Sequence, residues 1–187
     1  MQTRFQGHTF VTDPTRVFVP RPATEHLVDA AADRIGAEPA RIADIGTGSG
    51  AIAVTLALRL PNVEVWASDV CRDALALARL NADRLGAQVH LVQGDLLEGL
   101  PHDLDLIVAN LPYLAEGTEG YDAEPEAAVF SGPDGLGHYR RLLAGAADHL
   151  APDGGVIIQY RGDVLEAERS ELPWLSARLE SLVAAAA

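Results

Sequence analysis

The chain has 187 residues, 48% of them hydrophobic, with 17 glycines and 11 prolines, so it carries enough apolar material for a folded core and too much for a disordered chain. Its 14 basic residues are all arginine and stand against 27 acidic ones, for a net charge of −13. The lack of lysine excludes Schiff-base chemistry and a lysine-bearing phosphate loop, and the negative balance argues against nucleic acid as a partner, because basic surface supplies most of that affinity. The single cysteine, Cys71, excludes an internal disulfide and a cysteine-rich zinc site, and no metal is expected. No apolar run approaches the roughly 18 residues of a membrane span, and the opening residues lack an apolar signal core, so no membrane contact is expected and the cytoplasm is the expected compartment.

In chain order, residues 5–19 alternate apolar and polar positions around Gly7 and Asp13-Pro14 and suggest a hairpin or extended arm. An amphipathic helix is predicted over 24–35, stopped by Gly36. Strands and helices then alternate: strand 41–44, helix 49–59, strand 63–68, helix 72–85 stopped by Gly86, strand 89–93, strand 104–109, helix 136–150, a turn at Asp153-Gly154-Gly155, and strand 156–160. That alternation predicts an open, parallel α/β sheet; right-handed crossovers give its five strands the order 3-2-1-4-5. After Tyr160 the reading is one charged helical pattern, 164–172, and a second helix beyond Pro173 with Trp174, Leu175, Leu179 and Leu182 as its apolar stripe. A closing strand pair after the fifth strand is expected to be short or missing. The fifth strand should therefore be covered by the C-terminal segment, best by that helix, by a second chain, or by a partner. One domain is expected, with an arm and helix over 1–36, a core over 41–160 and a C-terminal segment over 161–187.

Two segments carry chemistry. Asp44-Ile45-Gly46-Thr47-Gly48-Ser49-Gly50 joins the first core strand to a helix, where glycines let the backbone turn tightly and approach a ligand at the helix N-terminus. Asp69 ends the second strand, where a carboxylate can accept ribose hydroxyls, and Asp95 follows the third, where it could meet an adenine edge. Gly46, Gly48 and Ala51 also satisfy a dinucleotide pattern, and a tight turn with no ligand would use the same glycines. Asp44 favours another ligand: a carboxylate before the first glycine is awkward beside a pyrophosphate but suits the ammonium and sulfonium of S-adenosyl-L-methionine.

The second segment is Asn110-Leu111-Pro112-Tyr113, at the end of the fourth strand. Its residue types suit the gripping of a flat, neutral –NH2 group. The Asn110 oxygen and a backbone carbonyl accept its N–H bonds, the Tyr113 ring stacks on its plane, and Pro112 presets the backbone around Leu111. The same residues also serve as an ordinary strand-to-loop turn.

These blocks resemble class I methyltransferases, and more narrowly the release-factor glutamine methyltransferase (HemK/PrmC) family. Val17-Phe18-Val19-Pro20-Arg21-Pro22-Ala23-Thr24-Glu25 resembles that family's I-P-R-P-E-T-E motif, the Asp44 to Gly50 block its D-L-G-T-G-S-G, and Asp73 to Ala82 its helix after the second strand. Asp105 to Tyr113 resembles its D-L-I-V-S-N-P-P-Y, and Glu124-Pro125 with Gly132-Pro133-Asp134-Gly135-Leu136 its E-P…G-x-D-G-L loop. The departures are Ala23 for a glutamate, Leu111 for the first proline, and Gln159 or Tyr160 where a glutamate ends the fifth strand.

The resemblance implies a Rossmann-like fold, S-adenosyl-L-methionine as cofactor, and N5-methylation of a glutamine in a release-factor-like protein. Asn110, Leu111, Pro112 and Tyr113 would be catalytic. Asp44, Gly46, Thr47, Gly48, Gly50, Asp69, Asp95 and Asn110 would bind the cofactor. The family's N-terminal docking domain has no counterpart here, so a helper subunit or a homodimer is a further expectation. Two other readings stand beside this one: an N6-adenine methyltransferase on RNA or DNA, whose exocyclic amine presents the same planar group, and a cofactor-binding module without turnover.

Overall fold

In the computed structural model the described residues are 1–119, 125–161 and 163–184. Strands β1 (Gln2–Phe5) and β2 (His8–Val11) form a hairpin. Its turn residues Gln6 and Gly7 both have positive φ, which matches the twist of a two-residue connection. The hairpin thus lies at 2–11, earlier than the 5–19 predicted. Phe5 and Phe10 meet edge to face at 6.0 Å and are buried. The fully buried Asn81 side chain bonds the backbone of Val11 and the Ser49 carbonyl, clamping the hairpin to the core.

Helix α1 (Pro22–Ile35) begins with Pro22 in its first turn, where a missing N–H costs nothing. The core follows as β3 (Ala40–Ile45), α2 (Ala51–Arg59), β4 (Val63–Asp69), α3 (Arg72–Leu85), β5 (His90–Gln93), β6 (Leu104–Ala109), the short α4 (Glu126–Val129), α5 (Gly137–His149) and β7 (Leu150–Tyr160). β8 (Asp163–Glu168), a 3-10 turn (Arg169–Glu171) and α6 (Leu172–Ala184) complete the chain's elements. The sheet order is β5-β4-β3-β6-β7-β8. Its first five strands are parallel and have the predicted 3-2-1-4-5 order. One apolar layer joins α1, α2 and α3 to one face, and a second joins α5 and α6 to the other. No helix among the described residues is long and apolar enough to cross a membrane.

The tail departs from expectation. Residues 164–172 are not a helix: Asp163–Glu168 pairs antiparallel with β7. The edge of β7 offers unpaired N–H and C=O groups, and satisfying them outweighs local helix preference. The charges follow the strand period. Glu166 and Glu168 lie on one face, both bound to Arg34 of α1 at 2.6 and 2.9 Å, while Leu165 and Ala167 join the opposite apolar layer. β7 is therefore covered from within the chain, by a strand at its edge rather than a helix. On α6 the buried residues are Leu172, Leu175 and Leu179, whereas Trp174, predicted as part of the apolar stripe, is 56% exposed and does not belong to it; the Leu182 side chain lies outside those described. β7 also starts earlier than Val156, with a register shift against β6 between Leu104 and Leu106. There Gly154 passes so close to the Leu104 carbonyl that a Cβ would sit 2.6 Å from it, which is why glycine marks a strand irregularity here and not a turn.

Candidate active site

β3 and β4 end side by side, and the glycine loop is tied across them: the Gly46 and Thr47 N–H groups both donate to the Ser68 carbonyl. Gly48 and Gly50 both have positive φ, but for different ends. Gly50 caps α2 where a Cβ would lie 3.0 Å from the Ala78 backbone of α3, so it serves packing. Gly48 meets nothing within 4 Å and opens on a cleft of about 190 Å³. Gly46, Asp69, Val70, Asp95 and Asn110 also line that cleft.

Asp69 holds the loop in place. One carboxylate oxygen accepts the Gly48 N–H and the other the Cys71 N–H, both at 2.9 Å. Each oxygen keeps a second lone pair for a ligand. Burial raises its pKa, with the backbone donors opposing. Asp95 is half-exposed and engaged by Arg141 at 2.5 Å.

Asp44 and Thr47 do not line the cleft. Asp44 is fully buried behind the loop, where one oxygen accepts from the Thr47 hydroxyl at 2.7 Å and the Ala53 N–H at 3.2 Å. Its other oxygen has no partner. Burial pushes its pKa up to about 7, and the nearby Asp69 adds to the shift. Asp44 thus organises the start of α2 and leaves an unsatisfied acceptor beneath the loop.

A second hollow, of about 100 Å³, is also lined by Asn110-Leu111-Pro112. Phe18, Arg21 and Tyr113 form part of its wall. Phe18, Asn110, Leu111 and Pro112 border both spaces, so the cleft and the hollow meet at the end of β6. Nδ2 of Asn110 donates to Thr24 Oγ1 at 3.1 Å, which leaves the carbonyl end of its side chain to accept from a ligand. The Leu111 N–H donates to Tyr139 Oη at 3.2 Å, and that hydroxyl donates in turn to the Gln159 carbonyl. Tyr139 is fully buried, and burial raises its pKa, so it stays a neutral relay. The Tyr113 ring stands edge to face against Tyr160 at 5.6 Å.

The loop after α4 closes this end of the site. Leu114 and Phe130 form an isolated parallel bridge, and Gly135, at φ 81, packs directly on the Tyr113 carbonyl. Asp134 is structural: it accepts the Leu136 N–H and both guanidinium arms of Arg140, which hold its pKa at about 2. Arg21 lies over the Phe18 ring at 5.2 Å. Glu124 lies outside the described residues.

Sequence reasoning missed Thr24, Tyr139 and His138. His138 borders the cleft, is half-buried, and contacts Ser131 Oγ through Nδ1 at 2.5 Å; burial lowers its pKa. Thr24 stands in the Arg21-Pro22 motif, which by itself gives it no role, and nothing local marks Tyr139 or His138. Trp66 of β4 is part-buried against the apolar core and stacks on His90 at 4.6 Å. Among the described residues no cluster of potential ligands could hold a metal ion.

The chain is similar to known proteins in sequence and in fold. A Bordetella pertussis release factor glutamine methyltransferase is 42% identical over 178 residues, covering 90% of this chain and 65% of its own length. A Moorella thermoacetica protein of the same name is 45% identical over 168 residues, covering 85% of this chain and 59% of its own. The chain thus spans less than two thirds of these relatives. Among solved structures, a T. thermophilus 16S rRNA methyltransferase in complex with AdoMet and guanosine superposes with a TM-score of 0.61 at 20% identity, over 84% of this chain and 40% of that one, and shares the fold. The family description "Methyltransferase small domain" matches residues 21–129, from the first turn of α1 through the glycine loop and Asn110 to the end of α4, and the chain belongs to that family.

Proposed function

We propose that this chain transfers a methyl group from S-adenosyl-L-methionine to the side-chain amide nitrogen (N5) of a glutamine in a release-factor-like protein. One observation carries the reading: the glycine-loop cleft and the smaller hollow meet at Asn110-Leu111-Pro112. The relatives' names give the substrate class.

The residues present fit the cofactor. Asp69 has spare lone pairs at the cleft for ribose hydroxyls, and Val70 and Leu96 offer apolar surface to a flat ring. The unpartnered Asp44 oxygen lies behind the loop, and an ammonium group in the cleft would favour ionisation of its carboxyl, which burial holds back to about pH 7. Gly46, Thr47, Gly48 and Gly50 shape the loop that would hold the amino-acid part, and Asp95 would stand at the adenine edge. The cofactor supplies an electrophilic methyl carbon.

The chain's own task is position and electrostatics. A glutamine amide is a weak nucleophile because its lone pair is delocalised. Asn110 Oδ1 and the Leu111 carbonyl would each accept one of its N–H bonds, aiming the nitrogen at the cleft. The same acceptors stabilise the positive charge that develops on nitrogen. Pro112 stiffens the strand end, Tyr139 pins the Leu111 amide, and Tyr113 would pack on the amide plane. An adenine amine would present the same group, but a net charge of −13 and no lysine favour a protein acceptor.

The test is transfer of a labelled methyl group from S-adenosyl-L-methionine to release factors, other proteins and RNA, followed by mapping. Label on a glutamine nitrogen supports the reading. Label on adenine supports the nucleic-acid alternative, and cofactor binding without transfer supports a binding module.

A further inference from the structure

The Asn110 side chain has two chemically opposite ends. Only its oxygen can hold an –NH2 group; turned over, it would set donor against donor. The strand end does not decide between these orientations. The residue that meets the far end of the side chain is Thr24, 86 positions away in sequence, whose Oγ1 lies 3.1 Å from Nδ2. Thr24 is 3% exposed, so water cannot stand in for its hydroxyl. It sits on a rigid base: Pro22 opens α1, the Thr24 N–H bonds the Arg21 carbonyl, and Leu27, Val28 and Ala31 anchor the helix in the apolar layer containing Leu106 and Val108.

Resting on the function proposed above, we infer that Thr24 is a positioning residue that selects the productive orientation of Asn110. In the structure the Thr24 hydroxyl accepts from Nδ2, which leaves Oδ1 for the hollow. When an –NH2 group occupies the hollow, the same arrangement serves both amides: substrate N–H on Oδ1, and Nδ2 on Thr24. Thr24 thereby biases the site toward acceptor groups that carry N–H bonds. It also makes the first turn of α1, with Phe18 and Arg21 just before it, part of the machinery of β6.

Two variants test this. Thr24→Val removes the acceptor, and Thr24→Ser keeps it. The inference predicts a kcat lower by on the order of tenfold in Thr24→Val, with S-adenosylhomocysteine affinity unchanged, and recovery in Thr24→Ser. A role confined to packing would move melting temperature without that split. A second readout needs no turnover: in nitrogen-15 spectra, an Asn110 side-chain amide proton should exchange slowly in the wild type and Thr24→Ser, and rapidly in Thr24→Val. Wild-type kcat in Thr24→Val, or unprotected Asn110 amide protons in the wild type, would overturn the inference; the latter decides the matter even if the valine variant does not fold. If the wild type methylates no acceptor, the proposed function fails, and the exchange data alone judge Thr24.

Discussion

Asp44→Asn probes how a buried carboxylate shapes the site. In the fold Asp44 is fully buried with one oxygen unpartnered, and its pKa rises from 3.8 to about 7. The fold therefore prefers the protonated acid. The contribution is at its best below pH 3.8 and is lost as pH rises through about 7. A gap of about three pKa units at about 1.4 kcal/mol each costs about 4 kcal/mol once ionisation is complete, on an order-of-magnitude basis. Roughly 2–3 kcal/mol of that falls between pH 5 and 8. Asparagine keeps the shape and removes the titration, at the cost of a buried –NH2 in place of the unpartnered oxygen. Urea denaturation of both proteins at pH 5 and pH 8 gives the comparison. The stability of Asp44→Asn relative to wild type should improve by roughly 2–3 kcal/mol between the two pH values, because the other carboxylates are common to both. Parallel pH profiles would refute the argument that Asp44 is desolvated and poorly compensated.

Two further outcomes follow from the same geometry. Asp69→Ala removes the acceptor for Gly48 and Cys71 as well as the proposed partner of the ribose, so S-adenosylhomocysteine affinity measured by calorimetry should fall by on the order of 1.5–3 kcal/mol, and NAD should not bind to either protein. Tyr139→Phe strands the Leu111 N–H in a buried setting and should cost about 1–3 kcal/mol in denaturant stability with a matching fall in turnover; unchanged turnover would show that Leu111 needs no anchor.

How much of this was legible in the sequence depends on whether the signal was local. The alternation of strands and helices from Ala40 to Tyr160 and the helix Arg72–Leu85 follow hydrophobic period and glycine stops, which are local properties. β8 was not legible because Asp163–Glu168 has a helix-compatible composition, and its strand state is imposed by the open edge of β7 and by Arg34, 132 and 134 residues from Glu166 and Glu168. The same contrast holds in the site. The glycine loop, Asp69 and Asn110 carry short motifs at strand ends. Tyr139 bonds Leu111 and Gln159 on distant strands and in sequence looks like an ordinary helix position, while Thr24 stands in a motif whose sequence does not show its bond to Asn110, 86 residues away. Asp44 was visible as an acid before a glycine, but its complete burial was not.

The central claim is that the cleft holds the cofactor while Asn110, at its junction with the hollow, orients the acceptor nitrogen. Asn110→Ala tests it most directly, through turnover and S-adenosylhomocysteine affinity measured on the same preparation. The account predicts that transfer to the glutamine substrate is mostly abolished while the cofactor dissociation constant stays nearly unchanged, the pattern of an interaction made mainly in the transition state. Near-normal turnover, or a loss of cofactor affinity that explains the whole fall in rate, would contradict it.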